Sequence, residues 1–162
     1  MPRAYWLYPK KEILTSCIML IEPSAKEFAR VWARVEKAGR NDYDMEIVND
    51  LYRDSALVLP HRPYSLLVQE YRETDHSLYL GSPEEEWDPV AAFKEAKFLH
   101  WSDWPMSKPW HPSPVQLKQQ TEPKCHMKNG VETCGERDMW RYFYREFRER
   151  RQVGNALQSY LV

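Results

Sequence analysis

A histidine and a lysine lie in one aromatic, proline-containing segment of this chain, at residues 97–110. A short apolar stretch ends at His100, and Lys108 follows between Pro105 and Pro109. Prolines fix the backbone and stop a strand or helix from continuing, so both side chains are expected on a shaped loop beyond a strand end. An imidazole there can bind a metal, and an ammonium can bind a phosphate. The simpler alternative is a packed histidine and a solvated lysine in a tryptophan-rich loop.

Composition limits the classes of function. The chain has 162 residues, which is enough for one domain with a core. Its net charge is -1, so no global field favours nucleic acid or an acidic membrane, and polyanion binding would need a local patch. The longest apolar run, residues 18–21, is too short to cross a bilayer, and the first ten residues contain no apolar secretory segment. The sequence therefore predicts no nucleic-acid partner, no membrane segment and no targeting signal.

Two of the three cysteines flank a turn. Cys125 and Cys134 lie on either side of Asn129-Gly130, a dipeptide typical of tight turns. A turn there could bring the two sulfurs within bridging distance, which would indicate a secretory compartment. A metal site made from these cysteines and His126 is an alternative, although it lacks a fourth ligand at a recognisable spacing.

Hydrophobic spacing predicts strands that alternate with helices, which favours an α/β layered fold. In chain order the predicted elements are a buried strand at 13–21, a helix from Ser24 to Gly39, a helix at 44–53, a short strand at 56–59, short strands or loops at 65–68 and 77–80, a helix at 88–95, a strand ending at His100, an extended segment without regular structure from 104 to 125, and a helix at 136–151. Cys17 lies within the first strand, which makes it a small buried hydrophobic side chain.

Two of these helices carry apolar residues at helical spacing. The first has an apolar face, formed by Phe28, Val31, Trp32 and Val35. The last has an aromatic stripe, formed by Met139, Trp140, Phe143, Tyr144 and Phe147. Such a stripe is typical of a helix docked on a core, so we expect the last helix to be docked by this face.

Four collinear segments resemble glycosyltransferase family eight, the retaining group that contains glycogenin. They are residues 14–24, 44–49, 59–60 with 64–66, and 97–110. More specifically, the chain resembles fungal relatives known as glucose N-acetyltransferases or nucleotide-diphospho-sugar transferases, which share its residues 2–6 and 134–138. The resemblance extends over about residues 2–150, and this collinear order is more specific than any single motif.

The resemblance implies a GT-A fold, an α/β/α sandwich whose first half binds the nucleotide and supplies an Asp-x-Asp metal motif. In the family this half precedes the residues that match Pro2. Asp42-Tyr43-Asp44 has the same letters, but it follows a polar turn and begins a helix, so we interpret it as a coincidence. We therefore expect residues 1–162 to be a single partial domain, the C-terminal half of such a sandwich with a mixed sheet and a C-terminal helix. Half a sheet would leave an unpaired edge and an uncovered apolar face.

The resemblance also assigns roles to individual residues. His100 matches a ligand of Mn²⁺, Lys108 matches a lysine that faces the donor phosphates, and Asp44 matches an aspartate near the transferred sugar. Thr15, Ser16 and Trp110 fall in the matching substrate-binding segments. The chain departs from the family by having Thr15-Ser16-Cys17 in place of Asn-Ser-Gly, which loses an amide that would contact donor or sugar, and Asp44-Met45 in place of Asp-Gln.

The function implied is transfer of a sugar, N-acetylglucosamine or glucose, from a nucleotide-diphosphate donor to a glycan acceptor with retention, using Mn²⁺. The truncated chain itself is expected to be inactive. Its full-length parent is expected in the Golgi, held by an anchor that this chain lacks. The alternative is a non-catalytic remnant or carbohydrate-binding module, with Trp101, Trp104 and Trp110 stacking on sugar rings.

Overall fold

The computed structural model describes residues 1–159 of the chain, and the side chains of residues 1–152. The chain divides into two compact units. The first unit contains residues 1–65 and 96–98, and the second unit contains residues 66–95 and those from 99 onward. The described residues combine helices with two small sheets, which is consistent with an α/β class. The GT-A sandwich and the single partial domain stay predictions.

The first unit consists mainly of helices and loops. Its elements are a 3-10 helix at Tyr5–Leu7, helix α1 at Ala25–Val35, helix α2 at Asp44–Tyr52 and a short helical segment α3 at His61–Tyr64. The predicted start of α1 is confirmed, because the Ser24 hydroxyl accepts a hydrogen bond from the Glu27 N–H at 3.3 Å. At the start of α2, the Glu46 carboxylate accepts from the Tyr43 N–H at 3.1 Å.

The strands predicted at 13–21 and 56–59 are wrong. In these segments the described backbone forms only isolated bridges, in which Leu14 pairs with Arg3 and Leu59 with Pro2. Beyond Cys17 the apolar run is exposed, and the Leu20 side chain is 94% accessible. An apolar run becomes a strand only when a neighbouring strand pairs with its backbone, and none does so here. Cys17 is partly exposed rather than buried.

The second unit contains the two sheets. Its elements are strand β1 at Leu66–Leu67, a 3-10 helix at Val68–Arg72, helix α4 at Ser77–Leu80, helix α5 at Pro89–Glu95, strand β2 at Leu99–His100, helix α6 at Val115–Thr121, strands β3 at His126–Lys128 and β4 at Val131–Thr133, and helix α7 at Gly135–Ser159. Strands β1 and β2 are parallel, with Leu67 opposite His100. The predicted strand ending at His100 and the helices α5 and α7 are confirmed, whereas 77–80 is a helix and α6 lies in the segment predicted to be irregular.

Strands β3 and β4 form the hairpin that the Asn129-Gly130 dipeptide predicts. Both turn residues have positive φ values, 51° and 79°, as a two-residue turn of this kind requires. A disulfide joins Cys125 to Cys134, with their Cα atoms 4.4 Å apart. The predicted proximity of the two sulfurs is therefore confirmed. The alternative metal site is wrong, since both thiols are used in the bond.

The core of the second unit is aromatic. Trp140 and Phe143 of α7 are buried, together with Tyr71 of the 3-10 helix. The Tyr71 and Phe143 rings meet edge to face at 4.8 Å, and Phe93 of α5 lies 5.1 Å from Phe143. The prediction that α7 docks by its aromatic stripe is confirmed. No described helix is both long and apolar enough to span a membrane.

Candidate functional site

The predicted site residues fall into both units. Thr15, Ser16 and Asp44 belong to the first unit, and His100, Lys108 and Trp110 belong to the second.

Ser16 and Asp44 are in direct contact in the first unit. The Ser16 hydroxyl donates a hydrogen bond to Asp44 Oδ2 at 2.6 Å, and Asp44 is the first residue of α2. Thr15, by contrast, is fully buried, and its hydroxyl donates to the Cys17 sulfur at 2.8 Å and accepts from the Cys17 N–H at 3.2 Å. The structure therefore presents a serine hydroxyl and a carboxylate side by side at the start of a helix.

An asparagine that the sequence analysis did not single out holds this pair together. The Asn49 side chain accepts a hydrogen bond from the Leu14 N–H and donates to the Leu14 carbonyl, both at 2.8 Å. It also donates to the Met45 carbonyl within α2, at 2.8 Å. Asn49 thus fixes the Leu14 backbone to the helix that begins with Asp44, which places Ser16 next to that carboxylate. An asparagine inside a helix is unfavourable unless its side chain finds such partners, and that was the available signal.

In the second unit, the loop after β2 returns Lys108 to the end of the strand. The Lys108 ammonium donates a hydrogen bond to the Trp101 carbonyl, one residue beyond His100. The Ser102 N–H donates to the His100 carbonyl at 2.9 Å, so the backbone turns directly after the histidine. His100 itself is half-buried and lies in parallel pairing with Leu67. A cation is therefore held against the backbone beside the predicted metal ligand.

Asp103 anchors this loop to the core, and the sequence analysis missed it. Its buried carboxylate accepts hydrogen bonds from Arg72 Nη1 at 2.5 Å and from the Trp140 ring and the Tyr144 hydroxyl, both at 2.8 Å. Arg72 also donates to the Trp104 carbonyl at 3.0 Å. Burial, with the Asp103 carboxylate beside it, raises the pKa of Tyr144, so this hydroxyl stays protonated and donates. A buried charge with this many donors is fully compensated, and it makes the loop rigid.

The loop encloses a cavity of about 230 Å³. Its lining combines a cation with hydroxyl groups and aromatic edges, from Trp101, Ser102, Asp103, Trp104, Met106, Ser107, Lys108, Pro109 and Tyr144. Trp101 packs against Tyr144, with ring centroids 5.1 Å apart, whereas Trp104 is 81% exposed and Trp110 is 45% exposed. A cation and hydroxyls on a rigid loop can hold a phosphate or the hydroxyls of a sugar.

The described residues do not by themselves fit a Mn²⁺ site. Within residues 1–159 no three His, Cys, Asp or Glu side chains come together as a ligand set. His100 supplies one nitrogen, whereas Mn²⁺ in proteins is held by several oxygen and nitrogen ligands. The Asp42-Tyr43-Asp44 triplet does not help, because Asp42 pairs with Arg34 at 2.9 Å while Asp44 binds Ser16.

The chain is similar to curated fungal proteins along nearly its whole length. It is 50% identical over 169 residues to a Gibberella zeae protein named glucose N-acetyltransferase 1, an alignment that covers 99% of this chain and 37% of that protein. A protein of the same name from Aspergillus fumigatus is 42% identical over 166 residues, covering 94% of this chain and 43% of that protein. The chain is thus similar in sequence to a part of each of these two fungal proteins. The Candida albicans protein of that name is 32% identical over 123 residues, with 57% of this chain and 26% of that protein covered.

The chain thus spans less than half the length of the curated relatives it matches. Their names agree with the transferase class expected from the sequence. No family model matches the chain. No solved structure matches it either.

Proposed function

We propose that this chain carries sugar-facing and phosphate-facing residues of a retaining glycosyltransferase. The enzyme would move N-acetylglucosamine or glucose from a nucleoside-diphosphate donor to a glycan acceptor. The observation that carries the proposal is the 50% identity across 99% of the chain to a protein named as a transferase. The geometry supports it by presenting a carboxylate and hydroxyl pair in the first unit and a lysine beside a strand end in the second.

Lys108 is assigned to the donor phosphates. Its ammonium is held at a backbone carbonyl on a loop that Asp103 fixes, so it needs little reorganisation to meet a phosphate oxygen. When the bond between sugar and diphosphate breaks, negative charge grows on the leaving diphosphate, and a fixed cation stabilises it. Removing such a contact lowers kcat by about 10²-fold or more.

Asp44 and Ser16 are assigned to the transferred sugar. The Asp44 carboxylate uses Oδ2 for Ser16, and a carboxylate has further acceptor sites for a sugar hydroxyl. A carboxylate beside the reacting carbon also stabilises the positive charge that develops on the sugar ring during transfer. Thr15 is buried and its hydroxyl contacts Cys17, so it is not assigned to the sugar. Mn²⁺ with His100 as one ligand belongs to the proposal by resemblance, and its other ligands would have to come from outside the described residues.

One observation favours a second function, a carbohydrate-binding module without catalysis. Trp104 and Trp110 expose their rings on the loop after β2, and exposed indole rings stack on the faces of sugars. Trp101 does not fit this role, because its ring packs against Tyr144 and Phe147.

Calorimetric titration of the 162-residue chain with UDP-N-acetylglucosamine and UDP-glucose, with and without Mn²⁺, tests both functions. The transferase proposal expects binding that Lys108→Gln weakens by about tenfold or more, because a hydrogen bond to a charged group is lost. Lys124→Gln is the matched control, since Lys124 is exposed on the same unit and lies outside the loop.

The two functions predict different ligands for the chain and a different role for Trp104. If the chain is a carbohydrate-binding module, we expect it to bind a neutral oligosaccharide and the Trp104→Ala variant to lose this binding. We also expect it to bind neither nucleotide sugar. That pair of results would reject the transferase proposal for this chain. For a catalytically competent full-length protein, transfer that continues undiminished in the His100→Ala variant would refute the role of His100.

A further inference from the structure

Helices α6 and α7 of the second unit border a groove of about 420 Å³ that is lined by positive charge. Its charged and polar lining is Lys118, Gln119, Glu122, Arg141, Arg145 and Arg148, and we call it the cationic groove. Four of these side chains are cations and one is a carboxylate. The whole chain has a net charge of -1, so this concentration of positive charge is local. It is the kind of patch that a nearly neutral chain needs in order to bind an anion.

The arginines are placed in a row by helix geometry. Arg141, Arg145 and Arg148 are separated by four and three residues, and residues at these spacings lie on one face of a helix. The opposite face of α7 is docked by Trp140 and Phe143, which are buried. Like charges at these spacings destabilise a helix, so the row costs stability unless carboxylates or a bound anion compensate it.

Neighbouring carboxylates compensate only part of this charge. Arg141 donates two hydrogen bonds to Glu122, at 2.7 and 2.6 Å, which neutralises that pair. Arg145 Nε lies 3.9 Å from Glu149 Oε1, at the edge of an ion pair. Among the residues whose side chains are described, Arg148 donates only to the Tyr144 carbonyl, at 3.1 Å, and this contact does not pair its charge with a carboxylate.

Lys118 is the second cation of the groove that forms no ion pair with a described carboxylate. Its ammonium lies 6.0 Å from the centre of the Trp140 ring, and none of the described carboxylates lies within ion-pair distance of it. The first unit provides a contrast, because both arginines of α1 are neutralised. Arg30 pairs with Glu27 at 2.8 Å, and Arg34 pairs with Asp42 and Asp50 at 2.9 and 2.6 Å. Lys118 and Arg148 thus line one groove without an ion pair among the described side chains.

We propose that the cationic groove binds a phosphate group carried by the glycan acceptor. Guanidinium groups present paired N–H donors that match phosphate oxygens, and an ammonium adds a further point charge. The choice of a glycan as the carrier rests on the proposed function, whereas the choice of phosphate rests on the groove alone. The groove is formed within the second unit and contains none of the residues assigned to the donor.

Titration of the 162-residue chain with glucose 6-phosphate, glucose and inorganic phosphate tests the proposal. We expect glucose 6-phosphate to bind, glucose to show no binding, and inorganic phosphate to bind more weakly than the sugar phosphate. The double variant Lys118→Gln/Arg148→Gln should weaken sugar phosphate binding by about tenfold or more, because charge-assisted hydrogen bonds are lost. Circular dichroism would show that both proteins are folded.

The matched control is Lys124→Gln/Arg150→Gln, which removes two exposed cations of the same unit outside the groove. We expect it to change binding by less than about twofold, because exposed charges at a distance are screened. Equal losses in the two double variants would overturn the proposal, since they would show only a general charge effect. Binding of inorganic phosphate as tight as that of the sugar phosphate would overturn the assignment to a glycan.

A single-stranded oligothymidylate distinguishes a second class of polyanion. If the oligothymidylate binds more tightly than the sugar phosphate, and the Lys118→Gln/Arg148→Gln variant loses this binding, the groove is a nucleic-acid site and the proposal fails. None of these measurements needs a donor or sugar transfer. Loss of nucleotide-sugar binding in the Lys108→Gln variant, with sugar phosphate binding unchanged, would therefore show that the two sites bind independently. The proposed function and the groove proposal can then fail separately.

Discussion

Each unit of this protein has a helix with aromatic residues on one face, and this face is buried in the second unit but exposed in the first. Helix α7 of the second unit buries its aromatic stripe, with Trp140 fully buried and Phe143 3% exposed. Helix α1 of the first unit has aromatic residues at the same kind of spacing, yet Phe28 is 68% exposed and Trp32 is 54% exposed. Hydrophobic spacing thus shows which residues share a face, but it does not show what covers that face.

The difference lies in what each helix packs against. The α7 stripe meets aromatic rings from several other segments, including Tyr71 and Trp101. Helix α1 is joined to α2 mainly by polar contacts, in which Arg34 pairs with Asp50 at 2.6 Å and the Tyr52 hydroxyl donates to Glu27 at 3.1 Å. Helix α1 is therefore held to α2 mainly by hydrogen bonds and ion pairs, whereas α7 is held by apolar burial.

The most severe test of this contrast is a pair of tryptophan substitutions. Trp140→Ala should lower the free energy of unfolding by about 3–5 kcal/mol, because it empties a buried site. It also removes one donor from the Asp103 carboxylate. Trp32→Ala should lower it by less than about 1 kcal/mol, since most of that ring is already exposed. Urea denaturation followed by circular dichroism measures both.

Trp140→Phe separates packing from hydrogen bonding, because it keeps an aromatic ring but removes the N–H that Asp103 accepts. We expect its free energy of unfolding to lie between those of wild type and Trp140→Ala. If Trp32→Ala destabilised the protein as much as Trp140→Ala, the contrast between the two units would be wrong, and the α1 face would have to be covered in solution.

Local signals predicted local structure well. The Ser24 cap, the turn at Asn129-Gly130 and the stripe of α7 depend on residues within a few positions of one another, and each is confirmed. The recurring prolines of residues 104–125 predict an irregular segment, and helix α6 shows that this prediction is wrong for part of it. Here Pro114 precedes the first turn and Pro123 follows the end, so the two prolines bound a helix rather than exclude one.

The long-range contacts of the candidate site could not be predicted from spacing. Asp103 finds its partners 31 to 41 residues away in Arg72, Trp140 and Tyr144. Ser16 lies 28 residues from Asp44, and only the family resemblance placed both in one site. The position of Asn49 inside a helix indicates that its amide needs a partner, but not that this partner is Leu14, which is 35 residues away.

The disulfide tests how far the second unit depends on covalent as well as apolar stabilisation. The double variant Cys125→Ser/Cys134→Ser should lose about 2–3 kcal/mol, because the bond closes a short loop in the unfolded chain. Thiol titration under denaturing, non-reducing conditions should count one reactive thiol, from Cys17, and three after reduction. Cys17→Ser is the control and should keep the bond. Three thiols in the unreduced protein would show that the hairpin is held without it.

Asn49→Ala tests whether polar contacts hold the first unit. The substitution leaves the Leu14 N–H and carbonyl without their partner, which should cost about 1–3 kcal/mol in urea denaturation. Asn41→Ala is the matched control, because Asn41 is exposed and its side chain makes no hydrogen bond within the described part of the chain. Equal stability of the two variants would mean that the segment before Ser16 is fixed by something other than this amide.

The smallest expected effect concerns an ion pair of the second unit. Hydrogen bonds from Arg141 lower the pKa of Glu122 below its ordinary value of 4.5. A group whose folded pKa is lowered stabilises the protein above the unfolded pKa, and this stabilisation is lost as the pH falls through the folded pKa. Glu122→Gln should therefore be less stable than wild type near neutral pH, by less than about 1 kcal/mol because Arg141 is half exposed.

The difference between these two proteins should shrink as the pH falls below 4.5 and disappear once Glu122 is protonated in the folded state. Urea denaturation of both proteins at a series of pH values measures this convergence. Glu132→Gln, on exposed strand β4, should run parallel to wild type across the series. A difference in the free energy of unfolding that stayed constant down to about pH 2 would show that Glu122 acts through packing rather than through its charge. Apolar packing would then account for this surface contact of the second unit as well.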